Sequence, residues 1–332
     1  MFYYCFVKTI DLSSFNTANV ENMDEMFAGA SLVVNIYTSE SFKTDKLTTS
    51  KYMFYLCTKL PNFNKDEVDA THANYGAGGY FKKIVGQIGS VTLGANGEPF
   101  AVAELTLTDD EDFKAYESFI ATSASYRRTL KEGTTWATLC LPFEVSLEGK
   151  NFRAFKLLSA DDAKETVELE EIETSIEAGT PVIIKMKDGE TKLKFSVANK
   201  AIAKDVQTSE TDNGNYQLKG LYTQKEFNKN ADNNCYIVKG NKLMNPAMLL
   251  EKTKVQKVAS KPFRAYMVDN SSAPTAGAKM FSIGFDNDGT TAIDNLNTIA
   301  NDKAEYYDLQ GKRLNEPQKG INIVKRNGKT MK

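Results

Sequence analysis

One histidine, His72, stands in the whole 332-residue chain, flanked by Thr71 and Ala73 in a polar, glycine-containing stretch. Metal sites built from several histidines are therefore excluded, and a Ser-His-Asp or Cys-His centre would have to use this one ring. Its polar surroundings point instead to a solvated surface residue. The carboxylates offer more material. Asp109-Asp110-Glu111-Asp112 sets four acidic side chains in a row, which could attract Ca²⁺ but reads more simply as a charged loop beside a strand. Asp286-Asn287-Asp288-Gly289 resembles a calcium loop. With Gly289 at position six the loop would begin at Gly284 and end at Asn295, so the bidentate glutamate is missing and the EF-hand reading fails. Glu165, Glu168, Glu170, Glu171, Glu173 and Glu177 could include the carboxylate pair that glycoside hydrolysis needs. The two-residue step from Glu168 to Glu170 suits the wet face of a strand better. GxSxG, HExxH and a phosphate-binding glycine loop are all missing from the sequence. The expectation is no enzyme, no cofactor and no metal site.

Cys5, Cys57, Cys140 and Cys235 lie far apart with no CxxC spacing, which rules out a zinc ribbon or a thioredoxin-like pair. Each sits in an apolar or aromatic run, such as Tyr4-Cys5-Phe6 and Leu139-Cys140-Leu141. Small buried thiols are expected there. The charge balance, 41 Lys and Arg against 43 Asp and Glu, gives a net charge of -2. That balance argues against a nucleic-acid surface and a polybasic membrane arm. No apolar run is long enough to span a membrane, and the opening residues Met1 to Phe6 lack the charged start and apolar stretch of a signal peptide.

The elements that would carry these residues begin with a repeat. Met-Phe recurs at Met1-Phe2, Met26-Phe27 and Met53-Phe54, and three residues after each Phe stands a small residue: Cys5, Ala30 and Cys57. Phe15-Asn16-Thr17 answers Phe42-Lys43-Thr44, each Phe lying 11 residues before the next Met. Ile10, Ile36 and Leu60 fall on comparable strand-like positions. A period near 26 fits a stacked coil in which short strands share one core. The stretch from Asp11-Leu12 through Phe15-Asn16-Thr17 to Asn19-Val20-Glu21-Asn22-Met23 resembles the leucine-rich-repeat surface proteins of the BspA-like type. That resemblance covers residues 1–64.

Residues 65–90 read as a linker, with charge at Lys65-Asp66-Glu67 followed by Gly78-Gly79, Gly86 and Gly89. From residue 91 the apolar period becomes two. Asn96-Gly97, Asp188-Gly189 and Asn213-Gly214 fall between alternating segments, the strongest short hairpin signals. Residues 91–300 are thus expected to form an antiparallel β-sandwich. Trp136–Phe143 and Pro262–Val268 should be inner strands, and residues 112–123 a short helix or surface loop. With Tyr126-Arg127-Arg128-Thr129 and Glu177–Val182, these phrases are similar to β-sandwich modules that follow repeats in secreted bacterial proteins. Residues 301–332 read as a small β module of three short strands. Tyr306-Tyr307-Asp308-Leu309-Gln310-Gly311-Lys312-Arg313 with Lys319–Val324 resembles the C-terminal sorting modules of type IX secretion.

The predicted architecture is therefore mainly β: a short leucine-rich-repeat-like solenoid, an antiparallel β-sandwich and a small C-terminal β module. The resemblances imply a non-catalytic interaction protein at the cell surface or secreted, acting in adhesion to a host or bacterial protein. A carbohydrate-binding sandwich is the alternative and would need exposed aromatic rings; Trp136, the one tryptophan, lies in a core-like run. A glycan hydrolase is a third reading. The first coil opens inside its own motif, so its edge, with Tyr3, Tyr4 and Phe6, is the candidate interaction surface. Upstream repeats or a second copy of the chain would cover it. Met1 marks where such a preceding segment would join.

Overall fold

The computed structural model describes residues 1–161, 165–211, 214–252, 256–271 and 280–283, together with the strands Glu305–Tyr307, Arg313–Leu314, Ile323–Arg326 and Lys329–Met331. Two compact units divide the chain, Met1–Ile283 and Gly284–Lys332. The protein is mainly β, and the one α-helix among the described residues is the seven-residue Pro246–Lys252.

At the N-terminus the repeat forms a β-solenoid-like stack. Strand β1 (Thr9–Asp11) pairs in parallel with β2 (Asn35–Thr38), Ile10 opposite Ile36, and β2 pairs in parallel with β3 (Lys82–Ile88). Backbone bonds between coils repeat in register: Phe2 N donates to Met26 O at 2.7 Å, and Phe27 N to Met53 O at 2.9 Å. This register superposes the three Met-Phe phenylalanines. Phe2 and Phe27 stack with ring centroids 5.7 Å apart and 7° between planes, and Phe27 and Phe54 at 5.3 Å and 8°. Ala30 and Cys57 are buried behind the ladder, whereas Cys5 at the outer end is only half-buried. The coils turn through two left-handed backbone positions per repeat. Tyr4 (φ 49°), Gly29 (φ 77°) and Leu56 (φ 65°) share one, and Glu25 and Tyr52 the other.

Two expectations need correction in this region. Leu60 is buried, but it sits in a turn equivalent to that of Val33: each donates its N–H to the small residue three positions earlier, Cys57 or Ala30. The rung beside Ile36 falls to Phe81, because its neighbour Lys82 pairs with Tyr37. The intervening segment is therefore not a linker. Val68 O accepts the Phe54 N–H, Ala73, Tyr80 and Phe81 are buried in the coil core, and β3 extends the sheet. Glycine and charge along 65–90 reflect tight turns on a solvated cap. The coils themselves contain turns and strands, with no α-helix among the described residues.

Beyond β3 come β4 (Val91–Ala95), β5 (Ala101–Thr108), β6 (Phe113–Ala115), β7 (Phe119–Thr129) and β8 (Trp136–Leu139). Within residues 112–123, Phe113–Ala115 and the start of Phe119–Thr129 are strand, 116–118 is a bend between them, and none is helix. Phe113 and Phe119 are both buried, and their spacing is too short to distinguish a helical from an extended period. Because β6 leaves to pair with β3, β5 and β7 are joined by an excursion and run parallel, departing from a purely antiparallel plan. Strands β9 (Val145–Ser146), β10 (Phe152–Asp161), β11 (Thr166–Ile172), β12 (Ser175–Ile176), β13 (Val182–Met186) and β14 (Lys192–Ile202) follow. The Asp188-Gly189 turn joins β13 to β14, which belong to different sheets, so it is a corner and not a hairpin.

The unit finishes with β15 (Thr208–Glu210), β16 (Tyr216–Gly220), β17 (Lys225–Phe227), β18 (Cys235–Lys239), β19 (Lys242–Met244), β20 (Val258–Ser260), β21 (Ala265–Asp269) and β22 (Met280–Ile283). Ten strands form one sheet in the order β15-β16-β21-β18-β19-β22-β11-β10-β13-β8. Its last strand, β8, is buried at all four residues despite lacking a second backbone partner. Side chains close that edge. Thr138 Oγ1 donates to Ala265 O and accepts from Ala265 N, both at 3.0 Å, and Asn241 Oδ1 accepts from Thr135 N and Trp136 N. The sheet thus curls toward a half-barrel with a seam between β8 and β18/β21. Gly240 and Asn241 both take positive φ in the β18–β19 turn, the geometry of a type I′ hairpin. In the second unit, β23 (Glu305–Tyr307) pairs with β24 (Arg313–Leu314) and β25 (Ile323–Arg326), and β25 with β26 (Lys329–Met331), all antiparallel. That is four strands where three were expected. Asp286–Gly289, Asn295 and the Asn327-Gly328 turn lie outside the described residues.

Candidate functional site

The first coil lies at one end of the stack. β1 is the terminal strand of its sheet, and Tyr3 is 56%, Tyr4 50% and Phe6 69% exposed. Tyr4 is also scaffold: its ring lies over Gly29, where an added Cβ would come within 2.8 Å of the ring carbons. Tyr3 meets Tyr4 edge-on at 4.7 Å. The repeat extends this surface in a way the sequence reading missed. Gly29 N donates to Tyr55 O just as Tyr4 N donates to Ala28 O, so Tyr3, Ala28 and Tyr55 occupy one repeat position. Tyr55 is 49% exposed and packs edge-on against Tyr52, itself 56% exposed. The signal available was the shared register of Tyr3 and Tyr55 behind the Met-Phe repeat.

His72 is more engaged than a solvated loop residue. It ends the short 3₁₀ turn Ala70–His72, its Nδ1 donates to Gly78 O at 3.0 Å, and Nε2 lies 2.5 Å from Glu67 Oε2. The ring stacks on Tyr80 at 4.7 Å. The bond from His72 is the main influence holding Glu67 below the usual carboxylate range, with Asn64 adding to it. The role this geometry gives His72 is to pin the cap of the solenoid.

The acidic run divides among structural tasks. Asp109 joins a network at the half-barrel seam: Tyr126 Oη donates to Asp109 Oδ1 at 2.6 Å, and Arg264 Nη2 to Asp109 Oδ2 at 2.5 Å, with Arg128 Nε 3.5 Å from the same oxygen. Arg128 Nη1 also donates to Thr138 O at 2.8 Å. Burial, and then the like charge of Arg264, pull the Arg128 pKa down, while burial raises that of Tyr126. Asp112 caps the Gln224 N–H at 2.6 Å and Asp110 pairs with Lys261. Sequence spacing gave no sign of this network, since Asp109, Arg128 and Arg264 meet only through the fold. Glu168 and Glu170 lie on the exposed face of β11 as the alternation implied, and Glu171 pairs with Arg153. Trp136 is buried against Phe155.

No group of three or more His, Cys, Asp or Glu among the described residues is placed to hold a metal ion. The four cysteines are free, and burial pushes Cys57 up to about 11 and Cys140 and Cys235 to about 12. No described helix is long and apolar enough to cross a membrane.

A family model described as "Mycoplasma protein of unknown function, DUF285" matches residues 1–82. The chain is similar to that family through the coils and their cap, up to Lys82, where β3 joins β2. No curated protein and no solved structure matches the chain.

Proposed function

We propose that the protein is a non-catalytic interaction protein of the cell surface or secreted space, which binds a protein ligand along the open edge of its solenoid. The observation that carries this reading is the juxtaposition of a terminal parallel strand with three exposed aromatic side chains. An edge strand offers main-chain hydrogen bonds to an added strand, and the aromatic rings beside it supply buried area at low entropic cost. The BspA-like leucine-rich-repeat resemblance supports adhesion to a host or bacterial surface component. On the same reading, residues 91–300 act as a β-sandwich spacer and 301–332 as a sorting-like module of type IX kind, consistent with an envelope address. A second copy of the chain is a further partner for this edge. The test is an array of purified host and bacterial surface proteins probed with the whole chain and with a Tyr3→Ser/Phe6→Ser variant. The reading expects ligands bound by the first and lost with the second; ligands bound equally by both would refute the edge.

One observation favours glycan binding as a second reading. A cleft of about 400 Å³ beside the solenoid is lined by Phe42, Tyr75 and Phe100, with Lys43, Asp45, Asn74 and Glu98 among its polar lining residues. Aromatic rings with polar side chains beside them suit a sugar ring. A glycan array with wild type and Phe100→Ala separates this reading from the first.

A further inference from the structure

The seam of the half-barrel holds an open-mouthed cavity of about 330 Å³, within the range of small-molecule sites. It lies where β8 fails to pair along its outer edge, with Trp136 and Thr138 on one side and Ile237, Lys239 and Arg264 on the other. Its charge is one-sided. Arg128, Lys131, Lys239 and Arg264 line it, and no Asp or Glu is among the lining residues. The one carboxylate that meets the arginines, Asp109, lies outside the cavity lining. Two guanidinium groups therefore share a single, largely covered counter-charge, with Arg128 7%, Asp109 12% and Arg264 28% exposed.

A second observation bears on the same place. Arg264 Nε is buried and has no hydrogen-bond partner among the described residues. A charged N–H donor removed from water and left unpaired is costly, and a negative charge placed near this guanidinium offsets part of that cost. Here it belongs to a side chain that lines a cavity with surplus positive charge and an apolar wall. We propose that this seam is a binding site for a small organic oxyanion, a carboxylate or phosphate on a body of monosaccharide size. Its oxygens meet the Arg264 guanidinium, on a side chain 28% exposed, Lys131 and Lys239 approach from the rim, and Trp136, Ile237 and Val238 contact the uncharged part. Arginine suits this task because its planar fork retains a free donor while Nη2 holds Asp109.

Trp136 is the one tryptophan of the chain and lines the cavity, so its fluorescence reads occupancy directly. The full chain is titrated with sodium glucuronate and, separately, with inorganic phosphate at constant ionic strength, with glucose as the neutral control. A saturable change with glucuronate, phosphate or both, half-complete near or below ~1 mM, supports the site; which arm saturates assigns carboxylate or phosphate. Arg264→Gln should weaken that response at least ~10-fold, the loss expected for a charge-assisted bond. Because Arg264 also holds Asp109, Lys239→Glu on the exposed turn provides a variant that leaves the network intact and should weaken binding in the same direction. Absence of a saturable response in both arms, an equal response to glucose, or a response unchanged in Lys239→Glu would overturn the proposal.

Discussion

Replacing Phe27 with alanine should open the solenoid locally while leaving the half-barrel folded. Phe27 is fully buried, stacked between Phe2 and Phe54, and touches Phe81 edge-on at 6.2 Å. Truncating a buried phenylalanine costs about 3–5 kcal/mol, of which each aromatic pair accounts for about 0.5–1.5 kcal/mol. Phe27→Leu keeps most of the apolar volume but loses the three aromatic pairs, so about 1.5–4.5 kcal/mol is expected. The assay is amide hydrogen exchange at Phe27 and Phe54, whose N–H groups donate to Met53 O and Val68 O. At about 1.4 kcal/mol per tenfold, the alanine variant should exchange there roughly 100-fold to 3,000-fold faster, and the leucine variant about 10-fold to 1,500-fold faster. Phe2→Ala, which breaks one stack at a half-buried site, should fall well short of Phe27→Ala. Equal effects from Phe2→Ala and Phe27→Ala, or less than a tenfold effect from the latter, would refute the ladder as the spine of the coils.

Gly29→Ala should destabilise the coils by about 1–3 kcal/mol, since the residue holds φ 77° under the Tyr4 ring; Leu56→Gly, which relieves the same backbone conformation at an exposed position, should cost no more than about 0.5 kcal/mol in denaturant titrations. Cys5 should react with a thiol reagent at pH 8 before Cys57, Cys140 and Cys235, whose burial raises their pKa values; a Cys5–Cys57 disulfide in mass spectrometry would contradict the stacked register. His72→Ala should cost about 1 kcal/mol through the lost bond to Gly78 O, measured as a shift in thermal midpoint. Glu67 titrates lower in the folded chain, so its contribution is fully present above about pH 4.3 and is lost as pH falls through the lowered folded value. The midpoint of His72→Ala should therefore fall less steeply than that of wild type over this acidic window.

The solenoid was legible because its signal is local and repeated: Met, Phe and a small residue recur at each coil, and the fold superposes them. Phe81 escaped because nothing in its neighbourhood repeats; only the pairing of Tyr37 with Lys82 brings it into the rung. Asp-Gly at 188–189 marked a reversal but not its partner, since a turn dipeptide fixes backbone direction and leaves the choice of sheet to packing. Gly240-Asn241 is a hairpin signal of only two residues between two short strands, whose few residues show no alternation to frame it. The Asp109, Tyr126, Arg128 and Arg264 network was illegible for a different reason: its members lie up to 155 positions apart and carry no spacing rule. His72 looked solvated because its neighbours in sequence are polar, while its partners, Gly78, Glu67 and Tyr80, are set by the fold of the cap.

The proposed function rests on the edge of the first coil, and amide exchange on the full chain bound to a captured surface protein tests it most directly. Strand Thr9–Asp11 and the segment from Phe2 to Phe6 should gain protection on binding, with Tyr3→Ser/Phe6→Ser abolishing both the gain and the complex. Protection confined to β4 and beyond, with residues 2–11 unchanged, would contradict the account.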